Sequence, residues 1–208
     1  MGKIFAVGDI HGCFYKLKCL MGQLPINYEQ DTLVFLGDYI DRGRDSFKVV
    51  DYLVALKKKY NRIVFLKGNH EAMLLRYLSG EDKATFLYNG GEQTLKDYID
   101  ETGKVVIPPD HIAFYRFLQL YYETDDYIFV HAGLRENVPV EKQTEEDLLW
   151  IRKPFIDSDY DFGKRVVFGH TPFPEARIQD NKIGIDTGAV YGYKLTCLEL
   201  PAMVFHEA

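Results

Sequence analysis

The chain has 208 residues, 47% hydrophobic and 27% charged, which is enough for one soluble domain with a sizeable core. Its formal net charge of -6 supplies no broad field for nucleic acid, so none is expected as a partner, although a small cationic pocket is compatible with that charge. Cys13, Cys19 and Cys197 are odd in number and lack a CxxC spacing, which excludes a disulfide framework and a zinc knuckle and reads as reduced core thiols.

Lys3 to Val7 reads as a strand, with no signal-peptide pattern before it and no apolar stretch of membrane-spanning length after it. Ala6 stands where a myristoylation signal wants Ser or Thr. A cytoplasmic protein with no membrane partner is expected. Ile4 to Val7 runs into Gly8-Asp9-Ile10-His11-Gly12. Thr32 to Leu36 runs into Gly37-Asp38-Tyr39-Ile40-Asp41-Arg42-Gly43, and Ile63 to Leu66 into Gly68-Asn69-His70-Glu71. Between these strands, Phe14, Leu17, Leu20, Met21 and Leu24 share one helical face. Phe47, Val50, Leu53, Val54 and Leu56 share another, with Asp45 or Ser46 as a candidate cap and Lys57, Lys58 and Lys59 suited to the helix end. This β-α-β-α-β order predicts a parallel sheet whose strands deliver polar groups at their carboxyl ends.

From Ala72 to about Leu120 the helical pattern is broken at Asn89-Gly90-Gly91 and Pro108-Pro109, which predicts short helices over one sheet edge. Strands are expected again at Tyr127 to Val130, Arg165 to Phe168, Lys182 to Ile185, Leu195 to Leu200 and Met203 to His206, forming a second, more antiparallel sheet. No fixed-period repeat or Gly/Ser linker divides the chain, so one α/β domain over 1–208 is expected.

Four of the six histidines, His11, His70, His131 and His170, each follow a strand and a turn. With Asp9, Asp38 and Asn69 they form a donor set of imidazoles, carboxylates and an amide oxygen, without thiolate. That set suits a divalent metal such as Mn²⁺, Fe²⁺ or Zn²⁺. Seven candidates are too many for one ion. Two ions about 3.5–4 Å apart sharing a carboxylate would use them, with Asp38 on the middle strand as the bridge. His111 and His206 lack this context and read as structural.

The motifs Gly8-Asp9-Ile10-His11-Gly12, Gly37-Asp38-Tyr39-Ile40-Asp41-Arg42-Gly43 and Gly68-Asn69-His70-Glu71 resemble in order and spacing the signature of the PPP-family phosphoprotein phosphatases. The resemblance extends to His131-Ala132-Gly133 and Gly169-His170-Thr171, and is strongest to the compact bacterial and bacteriophage-type members among the calcineurin-like metallophosphoesterases. It implies two β-sheets face to face with helices outside. It places one ion on Asp9, His11 and Asp38 and a second on Asp38, Asn69, His131 and His170, most readily Mn²⁺. It makes His70 the general acid paired with Asp41, and gives Arg42, with Arg152 on a looser motif, to the phosphate.

The activity implied is hydrolysis of a phosphoserine or phosphothreonine protein, or of a small phosphoester, by a metal-bridging hydroxide. The alternative is symmetrical cleavage of a bis(5'-nucleosyl) tetraphosphate. Those bacterial hydrolases have Ala where this chain has Asp41, which favours the protein phosphatase. A non-catalytic module would not need the complete ligand set. A nuclease or cyclic-nucleotide phosphodiesterase fits the acidic charge and the Asp41-Arg42 pair less well. The chain lacks the long C-terminal segment of the large eukaryotic catalytic subunits, and a monomer is expected.

Overall fold

The computed structural model describes residues 2–208, so Met1 of the expected domain lies outside the described residues. Strands β1 (Ile4–Val7), β2 (Thr32–Phe35) and β3 (Ile63–Phe65) alternate with helices α1 (Phe14–Gln23) and α2 (Ser46–Lys59). β1 pairs with β2 and β2 with β3, both in parallel, as the β-α-β-α-β pattern predicts. Each crossover helix covers the same sheet face. Phe5, Val7, Leu33, Phe35 and Phe65 point towards Leu17, Leu20, Val50 and Leu53, while the alternating Ala6 and Val34 point the other way. Both faces are buried, which explains the continuous apolar runs.

Helices α3 (Asn69–Ser79), α4 (Lys83–Phe86), α5 (Glu92–Asp97) and α6 (Pro109–Phe117) follow. The breaks fall where the glycines and prolines stand: Gly90 adopts φ 98°, and Pro109 opens α6. The second sheet contains β4 (Tyr121–Glu123), β5 (Tyr127–Val130), β6 (Arg165–Phe168), β7 (Arg177–Ile178) and β8 (Lys182–Gly184), in the order β4-β5-β6-β8-β7. Helices α7 (Glu145–Trp150) and α8 (Lys153–Ile156) lie between β5 and β6.

Two expectations are corrected here. The centre of the second sheet is parallel, because β5 pairs with β6 and β6 with β8 in parallel, and only the edge strands β4 and β7 run antiparallel. The last two strands, β9 (Thr196–Leu200) and β10 (Val204–Glu207), belong to the first sheet, with β9 antiparallel to β1. A helix between β5 and β6 permits parallel pairing even where the helical pattern is short. The short turn between β9 and β10 carries no information about which sheet receives the hairpin.

The two sheets pack through Ala6, Val34 and Leu198 on one side and Phe129, Val167 and Ile183 on the other. The outer face of the second sheet is covered by Leu148, Ile151 and Phe155. The architecture is therefore helix, sheet, sheet, helix. Of the cysteines, only Cys197 is a core thiol; Cys13 is half-buried and Cys19 exposed, so the reading of all three as core thiols is also corrected. No helix is long and apolar enough, among the described residues, to cross a membrane.

Phe35 is fully buried and stacks on Phe65 with ring centroids 5.2 Å apart, immediately before the turn that carries Asp38. Phe35→Ala is expected to cost about 3–5 kcal/mol of stability, read as a lowered midpoint in urea denaturation. An unchanged midpoint would contradict this account of the layer.

Candidate metal centre and active site

The carboxyl ends of β1, β2, β3, β5 and β6 open onto one region, and the turn after each brings in a polar side chain. The backbone there is unusual. Among the described residues seven non-glycines have positive φ, and five of them are His11 (45°), Asp38 (51°), Asp41 (72°), Arg42 (66°) and His170 (63°). A left-handed residue costs on the order of 1 kcal/mol or more, so such turns persist only when their surroundings hold them. Here Ile10 and His11 both donate their N–H to the Asp38 carbonyl, at 3.1 and 2.8 Å, and the Gly12 N–H donates to Tyr39. The first turn is thereby stitched to the second.

The third motif completes this lattice. The Glu71 carboxylate accepts the N–H of Asp38 and Gly68 at 3.0 Å each, of Tyr39 at 2.8 Å and of Ile40 at 3.4 Å. Burial and the neighbouring Asp38 carboxylate push Glu71 up to about 8, against the lowering effect of these N–H groups. Sequence reasoning quoted Glu71 within its motif but gave it no task.

Asp38 lies at the centre. Its Oδ2 is 3.4 Å from His11 Nε2 and 3.9 Å from His70 Nε2, and its Oδ1 is 3.4 Å from His131 Nε2. Burial disfavours the ionised form, but the surrounding imidazoles, His131 first, hold Asp38 well below the usual carboxylate range. His11 Nδ1 donates to the Ile40 carbonyl at 2.8 Å and His131 Nδ1 to the Leu36 carbonyl at 2.9 Å. A carbonyl can only accept, so both rings present a lone pair at Nε2. His131 Nε2 and His170 Nδ1 lie 3.0 and 2.9 Å from Asn69 Oδ1.

Several buried acceptors thus meet without enough donors. Asp9 Oδ2 accepts the His170 N–H at 2.9 Å, but Asp9 Oδ1 and His170 Nε2 are buried with no hydrogen-bond partner. Burial, Asp186 and Asp38 together raise Asp9 well above its ordinary value. Burial lowers His11 to about 3, His170 to about 2, and His131 below its usual range, so all three are neutral, the form that ligates a cation. The ligand atoms of Asp38, His131 and His170 lie within 4.8 Å of one another, as do those of His11, Asp38 and His70. Converging lone pairs and an uncompensated buried carboxylate fit divalent cations.

His70 differs from the other three. Burial opposes its charge, but the Asp38 and Asp41 carboxylates outweigh that and raise it above its ordinary value. Its Nδ1 is 2.6 Å from Asp41 Oδ2, and its Nε2 is buried with no hydrogen-bond partner. Asp41 is held in turn by Thr94, whose hydroxyl donates to Oδ1 at 2.6 Å and accepts the Asp41 N–H at 2.9 Å, while Ser46 Oγ also accepts that N–H at 3.2 Å. Neither hydroxyl was legible beforehand, since Thr94 arrives from α5, 53 residues further along the chain.

Arg42 is exposed at the rim, with Nη1 donating to His11 Nε2 at 2.8 Å and the guanidinium 5.9 Å from the Tyr191 ring centroid. Arg152 is also exposed and reaches Thr171 Oγ1 at 3.4 Å, beside His170. Asp186 was missed. It is buried at the end of β8, pushed up to about 6 by burial, and close enough to Asp9 to raise that carboxyl too. Its signal was present, because Ile183-Gly184-Ile185-Asp186-Thr187-Gly188 repeats the strand-then-acid pattern of the first two motifs. His111 and His206 have other partners, Tyr98 and Glu199, at 2.8 and 3.0 Å.

Gly68 has no room for a side chain, since a Cβ there would lie far inside van der Waals distance of Asp38 Oδ1 and the Asp38 nitrogen. Gly68→Ala is expected to displace Asp38 and weaken divalent-ion binding about 10- to 100-fold, with far-UV circular dichroism preserved. Calorimetric titration with Mn²⁺ measures it, and unchanged affinity would contradict the packing account.

The geometry agrees with comparison to known proteins. Residues 2–197 match the model of the calcineurin-like phosphoesterases. The chain is 32% identical to the asymmetrical bis(5'-nucleosyl)-tetraphosphatase PrpE of Anoxybacillus flavithermus, over 95% of this chain and 90% of the relative. It is 30% identical to the PrpE of the same description from Oceanobacillus iheyensis, over 98% and 90%. A solved structure provisionally described as a diadenosine tetraphosphatase superposes with a TM-score of 0.79 at 25% identity, covering 100% of this chain and 93% of the other. A protein serine/threonine phosphatase from Saccharomyces cerevisiae superposes with a TM-score of 0.65 at 16% identity, covering 100% and 79%, a likeness of fold. With two sheets between helices and polar turns converging at their strand ends, the chain belongs to the calcineurin-like phosphoesterase family.

Proposed function

We propose that the chain is a two-metal phosphoesterase in which Asp9, His11 and Asp38 hold one divalent ion, and Asp38, Asn69, His131 and His170 hold the other. The observation that carries this reading is geometric: the ligand atoms of Asp38, His131 and His170 lie within 4.8 Å of one another, Asp9 Oδ1 and His170 Nε2 are buried with no hydrogen-bond partner, and His70 is set apart by its Nδ1, 2.6 Å from Asp41 Oδ2. Asp38 offers Oδ2 towards His11 and Oδ1 towards His131, the disposition a shared carboxylate needs. Divalent ions held by these residues, with Mn²⁺ the first choice for this donor set, would supply charge neutralisation of the phosphate and activation of water at neutral pH.

The protein's own groups do the rest. Arg42 and Arg152 present forked donors to phosphate oxygens from two sides of the site. His70, its Nδ1–H held by Asp41, has Nε2 free to pass a proton to the departing oxygen. Thr94 and Ser46 fix Asp41, and Asp41 fixes the ring. We place this work in a cytoplasmic monomer, with residues 1–208 acting as one catalytic unit.

For the substrate, the relatives favour a dinucleoside tetraphosphate. Two proteins aligned over nine-tenths of their length are named for its asymmetrical cleavage, rather than for the symmetrical cleavage expected as the alternative. A second reading, hydrolysis of phosphoserine or phosphothreonine in a protein, is favoured by the buried Asp41-His70 pair. An alkoxide is a poor leaving group and needs a proton, whereas a nucleoside polyphosphate departs as a weak base.

Two measurements test these readings. On one Mn²⁺-loaded preparation with a chelator control, kcat/KM for diadenosine tetraphosphate should exceed that for a phosphothreonine peptide, with AMP and ATP as products. Preference for the peptide would replace the first substrate reading by the second, and two molecules of ADP would replace asymmetrical by symmetrical cleavage. His70→Asn should retain its metal content and lose about 100-fold or more in kcat on the phosphothreonine peptide, with a smaller loss on p-nitrophenyl phosphate, whose leaving group needs no proton. Loss of one ion from this variant would make His70 a ligand instead of the acid.

A further inference from the structure

The segment from Asp186 to Tyr193 carries two exposed aromatic rings to the edge of the site, Tyr191 at 55% and Tyr193 at 61% exposure. Its backbone is nevertheless firmly held. Gly188 and Gly192 have φ of 71° and 91° and bracket a single helical turn, Ala189–Tyr191. The Gly188 N–H donates to Asp186 Oδ1 at 3.0 Å, and the Tyr191 and Tyr193 N–H groups both donate to the Gly188 carbonyl, at 3.0 and 3.3 Å. Lys16, from α1, donates to the carbonyls of Ala189 and Tyr193. Thr187 Oγ1 donates to the Lys194 carbonyl at 2.8 Å. A Cβ on Gly188 would crowd the Tyr193 ring and touch that of Tyr191, and the φ of 71° itself favours glycine there.

This arrangement places a half-exposed aromatic ring on a held backbone, its centroid 5.9 Å from the Arg42 guanidinium, which itself reaches His11. In a 5'-nucleotide a single ribose separates the base from its phosphate. We infer that Tyr191 is a nucleobase platform: the base of the nucleotide whose phosphate Arg42 holds stacks on its ring. The inference rests on the reading of Arg42 as a phosphate ligand and gives the nucleotide reading a recognition element in this chain. Stacking on a ring carried by a backbone that is already held costs little ordering of the loop. It accepts any base, because every base has a π face. The bare alternative is that Tyr191 only steadies Arg42 through its cation–π contact. In that case its removal weakens every phosphate ligand equally, whether or not a base is attached.

The test compares AMP and inorganic phosphate as inhibitors of p-nitrophenyl phosphate hydrolysis by the Mn²⁺-loaded wild type, Tyr191→Ala and Tyr191→Phe. The readout is the ratio of the two inhibition constants, which a general loss of activity does not move. Wild type should bind AMP at least about fivefold more tightly than phosphate. Tyr191→Ala should abolish that advantage, and Tyr191→Phe, which keeps the ring, should preserve it. No AMP advantage in wild type, or an undiminished one in Tyr191→Ala, overturns the platform. Equal weakening of both ligands in Tyr191→Ala overturns it in favour of the Arg42-steadying role.

Turnover of diadenosine tetraphosphate by the same preparations separates the two levels of inference. A wild type that shows the AMP advantage but does not cleave the tetraphosphate keeps the platform and loses the substrate reading. A wild type that cleaves it, with kcat/KM unaffected in Tyr191→Ala, keeps the substrate reading and loses the platform.

Discussion

Four backbone N–H groups, from Asp38, Tyr39, Ile40 and Gly68, converge on the carboxylate of Glu71, and the geometry of the site depends on that convergence. The turns after β2 and β3 must each bend sharply to lift a side chain off a strand end, which leaves their amides with no partner in either sheet. Buried amides without acceptors cost about 1–3 kcal/mol each, so one acid in the first turn of α3 removes a large penalty and fixes two turns against each other. With Glu71 in place, the left-handed Asp38 is the conformation in which those amides are satisfied. Without it, the same φ of 51° would be strain with no compensation.

The same logic explains why two sheets are needed. A single parallel sheet could deliver Asp9, Asp38 and Asn69 from the ends of β1, β2 and β3, but those three strands carry only His11 and His70 as imidazoles. The second sheet brings His131 after β5 and His170 after β6, and because those strands are parallel both side chains leave the sheet at the same end, facing the first set. The contacts that cross between the sheets are short: His131 Nδ1 to the Leu36 carbonyl at 2.9 Å, and the His170 N–H to Asp9 Oδ2 at 2.9 Å. His131 and His170 of the second sheet are therefore oriented by backbone and side chain of the first. Packing of Ala6 and Val34 against Phe129 and Val167 is the scaffold that keeps those cross-sheet distances.

The strand-then-turn pattern was legible because burial on both faces makes these strands continuous apolar runs and because the polar group must follow at once. Local sequence carries that signal, and Asp9, His11, Asp38, Asn69, His70, His131 and His170 were readable from it as the polar groups that the fold brings together. Partners that arrive from elsewhere were not readable. Thr94 holds Asp41 from α5 and nothing in its own neighbourhood marks it, while Ser46, legible only as a candidate helix cap, holds Asp41 from the start of α2. The direction of β6 and β8, and the return of β9 and β10 to the first sheet, are decided by which neighbour offers a matching edge, a long-range choice that periodicity does not encode. Asp186 belongs to neither class. It obeys the local rule, an acid directly after an apolar strand, but carries no histidine or arginine beside it to mark the turn as a site.

Neither substrate reading changes the work asked of Asp38. An anhydride and an ester present the same tetrahedral phosphorus and the same equatorial oxygens, so a site that neutralises those oxygens cannot by itself tell a nucleotide from a phosphoprotein. Discrimination must come from groups one step further out, where the leaving group and the remainder of the substrate lie. Two such groups differ in chemistry. On the proposed readings the Asp41-His70 pair would respond to leaving-group basicity, and Tyr191 beside Arg42 to a planar ring attached through one sugar. A dinucleotide would call mainly on the second and a phosphorylated side chain mainly on the first. Both groups stand together in a chain whose motifs resemble protein phosphatases and whose relatives are named for nucleotides.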